Sequence, residues 1–249
     1  MKQLRLLTPI ATVLLLAILC ELALTLGNVS KFILPKPTSI LKALYTEWPW
    51  ILMHLKVSMM EAVLGFGLGI ALGTILALSY LFLPALESLI VPLAVGVINV
   101  PFVAIAPVLF IVLGYGPLPK ILIVMVVCFF PIMSNFSAGL HSVNQNLLKR
   151  FYVLKATKWH LFTKLQLPTS IPFLATGLQI AVSNAVIAAI VGELLGTTQG
   201  LGFVILMSIS QYRLGVLMAT VAVTTVASII LTTGVRAFTR IIFKKWLVN

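Results

Sequence analysis

Residues His141–Pro168 read HSVNQNLLKRFYVLKATKWHLFTKLQLP and form a polar island between two apolar stretches. The island holds five of the 17 Lys and Arg residues of the chain and no acidic residue. Each flanking stretch is long enough to cross a bilayer as a helix, which takes about 20 residues. A basic, amphipathic segment between two spans presents a surface to the cytoplasm. The island therefore indicates a transport subunit whose driving partner lies on that side.

The composition predicts an all-α polytopic membrane protein with little soluble mass. The chain has 249 residues, of which 61% are hydrophobic and 9% charged, whereas a soluble domain has about 25% charged residues. The net charge is +12, but the basic residues lie at span ends and in loops, which favours the positive-inside rule over nucleic-acid binding. The chain has no aspartate, which leaves carboxylate-dyad and Asp-rich metal chemistry poorly supplied. Cys20 and Cys128 both fall in apolar runs and are interpreted as packed thiols.

The apolar pattern predicts about six transmembrane helices within a single transmembrane domain covering residues 1–249. The predicted spans are 7–26, 55–82, 87–113, 119–139, 171–195 and 214–243. Residues 27–54 are predicted to form the first loop, and the Gly/Pro-rich residues 114–119 a tight turn. The first apolar run is too long for a typical signal peptide and contains Glu21, so a retained first span is expected.

The distribution of Lys and Arg predicts that both termini are cytoplasmic. With an even number of spans and the N-terminus inside, the inner side holds 11 basic residues and the outer side six. The inner group outside the island is Lys2, Arg5, Arg236, Arg240, Lys244 and Lys245. The outer group is Lys31, Lys36, Lys42, Lys56, Lys120 and Arg213.

Two spans carry patterns that allow either tight packing or a translocation path. Gly65, Gly69 and Gly73 form small-xxx-small pairs in the second span, and these let helices approach closely. The third span carries Pro92, Pro101 and Pro107, and the carbonyls that such kinks free are tolerated against protein or water. Four amides inside the spans are candidates for lining a path or for hydrogen bonds between helices: Asn99, Asn135, Gln179 and Asn184.

The ionisable residues in the spans suggest no catalytic site. Glu193 is expected to pair with a neighbouring helix end or to line the outer mouth, and Glu61 to be solvated at the interface or to pair with Lys56. Glu21 is expected to face the helix bundle or to reach outward. His54, His141 and His160 lack metal-ligand spacing and are interpreted as interfacial histidines. No phosphate-binding Gly-x-x-x-x-Gly-Lys-Ser/Thr motif is present, so no cofactor or ATP is expected to bind the chain directly.

Between Leu34 and Tyr212 the sequence resembles the permease subunits of ABC importers in the nitrate/sulfonate/taurine/bicarbonate group, together with those for thiamine-pyrimidine and riboflavin uptake. Each motif alone is weak, but their order and spacing over about 180 residues make the resemblance specific. The matching motifs include Leu34-Pro35, Asn99-Val100-Pro101, Gly114-Tyr115-Gly116, Lys120, Phe130-Pro131-Ile132, Ala156-Thr157-Lys158-Trp159, Thr176-Gly177-Leu178, Gly192-Glu193 and Gly200-Leu201-Gly202.

The resemblance implies a type I ABC-importer permease fold in a prokaryotic inner membrane. It implies that residues 141–168 hold a cytoplasmic coupling segment that contacts an ATPase dimer, which uses the ATP. The implied contact residues are Phe151, Lys155, Ala156, Thr157, Trp159 and Phe162. The other implied partners are a second permease copy or paralogue, an extracytoplasmic binding protein and membrane lipid, with no nucleic acid. The implied cargo is a small polar solute such as a sulfonate, a nitrate-like anion or a vitamin precursor.

The chain departs from the family pattern at three places. The family opens the coupling segment with Glu-Ala-Ala, where this chain has Lys149-Arg150-Phe151. Lys155 replaces a glycine, and Glu61 stands where the family commonly has arginine. These differences are compatible with an ATPase whose docking surface has an acidic rim that complements the basic residues. They are also compatible with an asymmetric pair formed with a second permease. The alternative to the importer is a secondary carrier or channel that works without an ATPase.

Overall fold

The computed structural model describes residues 2–30 and 33–244. This part of the chain is helical, with no strand. The helices are α1 (Lys2–Leu26), α2 (Pro37–Thr46), α3 (Trp48–Phe82), α4 (Pro84–Asn99), α5 (Phe102–Leu113), α6 (Leu118–His141), α7 (Gln145–Val153), α8 (Lys158–Leu161), α9 (Leu167–Glu193), α10 (Leu201–Ser210) and α11 (Leu214–Ile242). A π-helical turn, Phe162–Gln166, joins α8 to α9. Lys31, Lys245 and Asn249, on which the orientation prediction partly depends, lie outside the described residues.

Most of the predicted spans correspond to helices of the structure. Among the described residues, four continuous helices are long and apolar enough to cross a membrane: Trp48–Leu81, Leu118–His141, Lys158–Glu193 and Leu214–Ile242. The pair α4 and α5 meets the same criterion as one broken span. Helix α1 covers the first predicted span. The prediction of an all-α polytopic membrane protein is therefore confirmed.

The third predicted span is not a continuous helix. The axes of α4 and α5 are bent by 94° at Val100 and Pro101. Pro101 has no N–H to donate and its ring disfavours helical backbone at the preceding residue. Val100 accordingly has extended backbone, with φ −74° and ψ 127°.

Two predicted span starts are also wrong, and two predicted loops contain short helices. The first loop contains helix α2, and α3 begins at Trp48, seven residues before the predicted start of the second span. The last loop contains α10, whose ten residues are too few to span a bilayer. The fifth span begins earlier than residue 171, because the helix runs without a break from Lys158 to Glu193.

One compact unit comprises residues 1–57 and 198–225. Its core consists of Ile51, Leu201, Ala219 and Val223. The N-terminus of α2 is bound by Glu21, whose two carboxylate oxygens accept the backbone N–H of Thr38 at 3.0 Å and its hydroxyl at 2.9 Å. Acidic groups at helix N-termini satisfy free N–H groups and favour the helix dipole. Of the two roles expected for Glu21, the structure thus shows an inward contact with α2.

The second compact unit comprises residues 58–197 and 226–249. Its centre is α6, against which α3 packs through Gly65, Gly69 and Gly73. A Cβ on Gly69 would lie 2.6 Å from the Cβ of Cys128, and one on Gly73 2.7 Å from the carbonyl oxygen of Phe129. Helix α9 approaches α6 as closely, since a Cβ on Gly139 would lie 2.8 Å from the Cα of Ser170. The small-xxx-small residues of the second span therefore do permit close helix packing, as predicted.

Candidate functional site

Three charged side chains meet in the second unit, where α3, α6 and α9 pack together. Glu61 and Glu193 are fully buried and Lys120 is only 3% exposed. The Lys120 ammonium forms an ion pair with the Glu61 carboxylate. The Glu193 carboxyl group lies within hydrogen-bonding reach of Glu61. We call Glu61, Lys120 and Glu193 the buried charge cluster.

The buried charge cluster joins three different helices at one end of the unit. Glu61 lies on α3, Lys120 in the first turn of α6 and Glu193 at the last residue of α9. Charged groups away from water are expensive unless they are paired, so this arrangement is stable only with all three helices in register. Both roles expected for Glu61 are wrong, because it is buried and its partner is Lys120.

Lys120 is the member of the cluster that the sequence did not identify. The sequence places it beside a Gly/Pro-rich turn, where a lysine is ordinarily exposed to water. The one sequence feature that pointed to burial of Lys120 is its position at the start of an apolar span, directly after Pro119, which is also buried. Glu193, predicted to pair with a helix end or to line the outer mouth, lies among helices and has no exposed surface.

The break between α4 and α5 adjoins a cavity of about 200 Å³. Phe102, the first residue of α5, lines the cavity together with Asn184 of α9. The remaining lining is apolar: Ile123, Val127, Ile187, Ala188 and Val191. Asn184, one of the predicted path residues, therefore borders this cavity.

The other three predicted path amides form hydrogen bonds, two with a backbone carbonyl of their own helix and one with a side chain of a neighbouring helix. Asn99 is exposed at the helix break and donates its Nδ2 to the carbonyl oxygen of Val95 at 2.7 Å. Asn135 donates to the carbonyl of Pro131 at 2.8 Å. Gln179 Oε1 accepts from Arg236 Nε at 3.3 Å, which links α9 to α11. Each amide thus has at least one partner within the protein.

The predicted coupling segment consists of α7, a turn and α8. Asn144 caps α7 by accepting the Asn146 N–H, and Thr157 caps α8 by accepting the His160 N–H. Among the predicted contact residues, Lys155, Thr157 and Trp159 are exposed, with Trp159 at 64%. Phe151, Ala156 and Phe162 are half-buried.

The turn between α7 and α8 depends on one residue with unusual backbone geometry. Lys155 has a φ of +52°, in the left-handed region that glycine adopts without steric cost. Its backbone N–H donates to the Tyr152 carbonyl at 3.0 Å. This geometry gives a physical reason for a glycine at the equivalent position in the family, and Lys155 holds the same turn at some strain.

One of the three histidines, His54, differs from the interfacial assignment made from the sequence. His54 is buried, and its Nδ1 accepts the backbone N–H of Gly200 at 3.0 Å. Trp50 and Phe203 pack against its ring. His141 is exposed and lies 3.6 Å from the Glu87 carboxylate, while His160 is exposed on α8. The described residues contain no cluster of His, Cys, Asp or Glu that fits a metal ion.

Comparison with known proteins gives the class of this membrane protein. Residues 69–248 match the family described as "Binding-protein-dependent transport system inner membrane component". A probable ABC transporter permease protein of Haemophilus influenzae is 31% identical over 217 residues, which are 87% of this chain and 89% of the relative. The formylaminopyrimidine transport permease ThiX of Halalkalibacterium halodurans is 35% identical over 173 residues, 69% of each chain. The taurine transport permease TauC of Escherichia coli is 27% identical over 223 residues, 87% of this chain and 81% of the relative.

An all-helical fold of apolar spans defines a polytopic helical membrane protein. The chain belongs to the binding-protein-dependent transport system inner membrane components. It is a multi-pass, non-catalytic permease subunit of an ABC importer with the type I permease fold. ATP is hydrolysed by a separate ATPase subunit, and a substrate-binding protein is the other partner that this family implies.

Proposed function

We propose that this chain pairs with a second permease and that the two enclose an alternating-access path for a small polar solute. The broken helix α4–α5 is the observation that carries the proposal. At the break, Asn99, Val100 and Pro101 are all exposed. Irregular backbone at membrane depth is tolerated only where protein or water covers it, because lipid tails offer no hydrogen bonds. The exposed break therefore favours a protein-covered, water-lined surface over a lipid-facing one.

The cavity beside the break is the candidate section of that path. Asn184 supplies its one amide, and the rest of its lining is apolar. An apolar wall with one amide binds a polar solute weakly. Weak binding favours movement of the solute through the cavity over discrimination between solutes. We therefore place selection in the binding protein and transit in this chain, with Asn184 contacting the solute during transit.

The substrate is proposed from the relatives. Their names give formylaminopyrimidine, aliphatic sulfonates, riboflavin and taurine as cargo of those proteins. We propose a solute of this range, either a vitamin precursor or a small sulfonate. None of the residues that line the cavity is charged, so neutralisation of an anionic cargo would have to come from elsewhere.

The coupling segment is proposed to bind a dimer of the ATPase, which alone binds the nucleotide. Trp159 supports this assignment, because a tryptophan that is 64% exposed on a water-facing segment is a common interface anchor. Its ring packs on Phe162, with centroids 5.7 Å apart, which fixes its direction. Replacing Trp159 with Ala removes the anchor without opening the protein core.

The ATPase assignment is tested by co-purification and by uptake. Trp159→Ala is expected to reduce co-purification of the ATPase and solute uptake together, with normal membrane insertion. The matched control is Trp48→Ala, which removes a partly exposed tryptophan from the start of α3, outside the coupling segment. Full substrate-stimulated ATP hydrolysis in the Trp159→Ala variant would rule out this docking site.

The orientation is proposed from the Lys and Arg distribution, with 11 basic residues on the inner side and six on the outer. We place the chain in a prokaryotic inner membrane with both termini in the cytoplasm. A cysteine placed at residue 249 should resist an impermeant reagent in intact cells and react after permeabilisation. Labelling in intact cells would overturn the orientation and leave the family unaffected.

A further inference from the structure

Helix α7 carries a basic outer face with an apolar centre. Leu148 and Phe151 are half-buried and mark the side that packs on the protein. At 100° per residue, Lys149, Arg150 and Val153 fall on the opposite side. All three are exposed, Val153 at 82%.

The same surface continues beyond the end of α7. Leu154 is 76% exposed, and Lys155 and Lys158 are exposed around it. Trp159 follows on α8. We call Lys149, Arg150, Val153, Leu154, Lys155, Lys158 and Trp159 the basic coupling surface. It combines exposed apolar side chains with four of the island's cations.

The protein itself offers no acidic group to neutralise this surface. The sequence has no Asp or Glu between Glu87 and Glu193. Glu87 interacts with Ser137 and His141, and Glu193 is buried in the charge cluster. Among the described residues, the ion pairs that form join Lys120 to Glu61, His141 to Glu87 and Arg213 to Glu47. The cations of the basic coupling surface are thus available to a partner.

We propose that the basic coupling surface binds a partner groove with an apolar floor and an acidic rim. This inference rests on the proposed function and adds the chemistry of the ATPase surface. Val153, Leu154 and Trp159 would meet the floor, while Lys149, Arg150 and Lys158 would face carboxylates of the rim. Charge complementarity of this kind speeds association and excludes partners whose rim is basic.

A membrane surface fits this geometry less well. A helix that lies on lipid buries its apolar side in the bilayer and keeps its cations at the border. In α7 the apolar side, with Leu148 and Phe151, is half-buried against the protein. The cations instead surround the exposed Val153, which is the arrangement expected for a bounded groove.

The test uses the full chain purified in detergent and the ATPase subunit that co-purifies with it, identified by its sequence. Binding is measured at 50 and 300 mM NaCl, since salt screens exposed charge pairs. We expect wild-type affinity to fall about tenfold between these conditions. The variant Lys149→Gln/Arg150→Gln/Lys158→Gln should bind about tenfold more weakly at low salt and lose most of the salt dependence. The control Lys42→Gln/Lys56→Gln removes two exposed lysines from α2 and α3 and should bind as wild type.

Charge reversal tests the acidic rim separately from the ATPase assignment. Lys149→Glu/Arg150→Glu should weaken binding more than neutralisation does. If it binds equally or more tightly, or if wild-type binding is insensitive to salt, the acidic rim is refuted while the ATPase assignment stands. If no ATPase binds the wild-type chain, the proposed function itself fails. A defect of the neutralised variant that appears only in nanodiscs with phosphatidylglycerol, and not with neutral lipid or detergent, would assign the surface to lipid and overturn the inference.

Discussion

Removing Lys120 should destabilise the protein far more than removing any exposed lysine. Lys120→Met keeps most of the side-chain volume but leaves Glu61 and Glu193 buried together without a cation. Removing one partner of a buried ion pair costs about 3–5 kcal/mol. The upper part of that range applies, because neither glutamate has exposed surface through which water could solvate it.

The expected change is large enough to measure by thermal unfolding in detergent. For a chain of this size about 1 kcal/mol corresponds to a Tm shift of roughly 2–4 °C. Lys120→Met should therefore cost about 4–5 kcal/mol and lower the Tm by about 8–20 °C. The transition is followed by circular dichroism and by the fraction that stays monodisperse after heating. The control Lys56→Met removes the exposed lysine that the sequence offered as the partner of Glu61, and should change the Tm little.

Two further variants test the geometry of the cluster. Glu61→Gln can still accept from Lys120 and donate to Glu193, so it should cost about 1 kcal/mol or less. The double variant Glu61→Gln/Lys120→Met should be more stable than Lys120→Met alone, because only one buried carboxylate remains. Equal losses in Lys56→Met and Lys120→Met, or a larger loss in Glu61→Gln than in Lys120→Met, would refute the arrangement.

Substitutions at Lys155, at two glycines and at His54 have predictable outcomes, measured by the same thermal assay. Lys155→Gly should raise stability by about 1 kcal/mol by relieving the left-handed backbone, whereas Lys155→Ala should not; equal effects would argue against strain at this turn. Gly139→Ala should destabilise the protein, because the new Cβ would lie 2.8 Å from a backbone atom of α9. Gly67 has open space around it, so Gly67→Ala should stabilise the protein by up to about 1 kcal/mol through helix propensity. The reverse order of stabilities would contradict the close approach of α6 and α9. His54→Ala should cost about 1–3 kcal/mol by leaving the Gly200 N–H without its acceptor, and a change near zero would show that this bond is not made.

The sequence predicted the elements whose pattern is local. The apolar runs gave the spans, and the glycine spacing of α3 gave its close packing face. The Gly/Pro turn after α5 was also foreseen, and Gly114 there has a φ of +81°. These features depend on a few neighbouring residues, so a single sequence is enough to reveal them.

The features that the sequence missed depend on contacts between distant residues. A proline at residue 101 predicts a kink, but the 94° angle depends on what packs against each half of the helix. Glu61 has Lys56 nearby in sequence, yet its partner is 59 positions away on another helix. The roles predicted for the path and coupling residues remain predictions, because they concern a solute and partners outside this chain.

The unbroken helix from Lys158 to Glu193 has a mechanical consequence. At 1.5 Å per residue its 36 residues form a rod of about 54 Å. One end carries the exposed Trp159, and the other is held by the buried charge cluster. Helix α9 packs closely on α6 near Ser170, so a tilt about the Glu193 end would have to carry both helices together. A tilt of about 5° would displace the Trp159 end by roughly 4.5 Å. The displacement falls in proportion to the distance from Glu193, so residues beside Asn184 would shift by only about 1 Å.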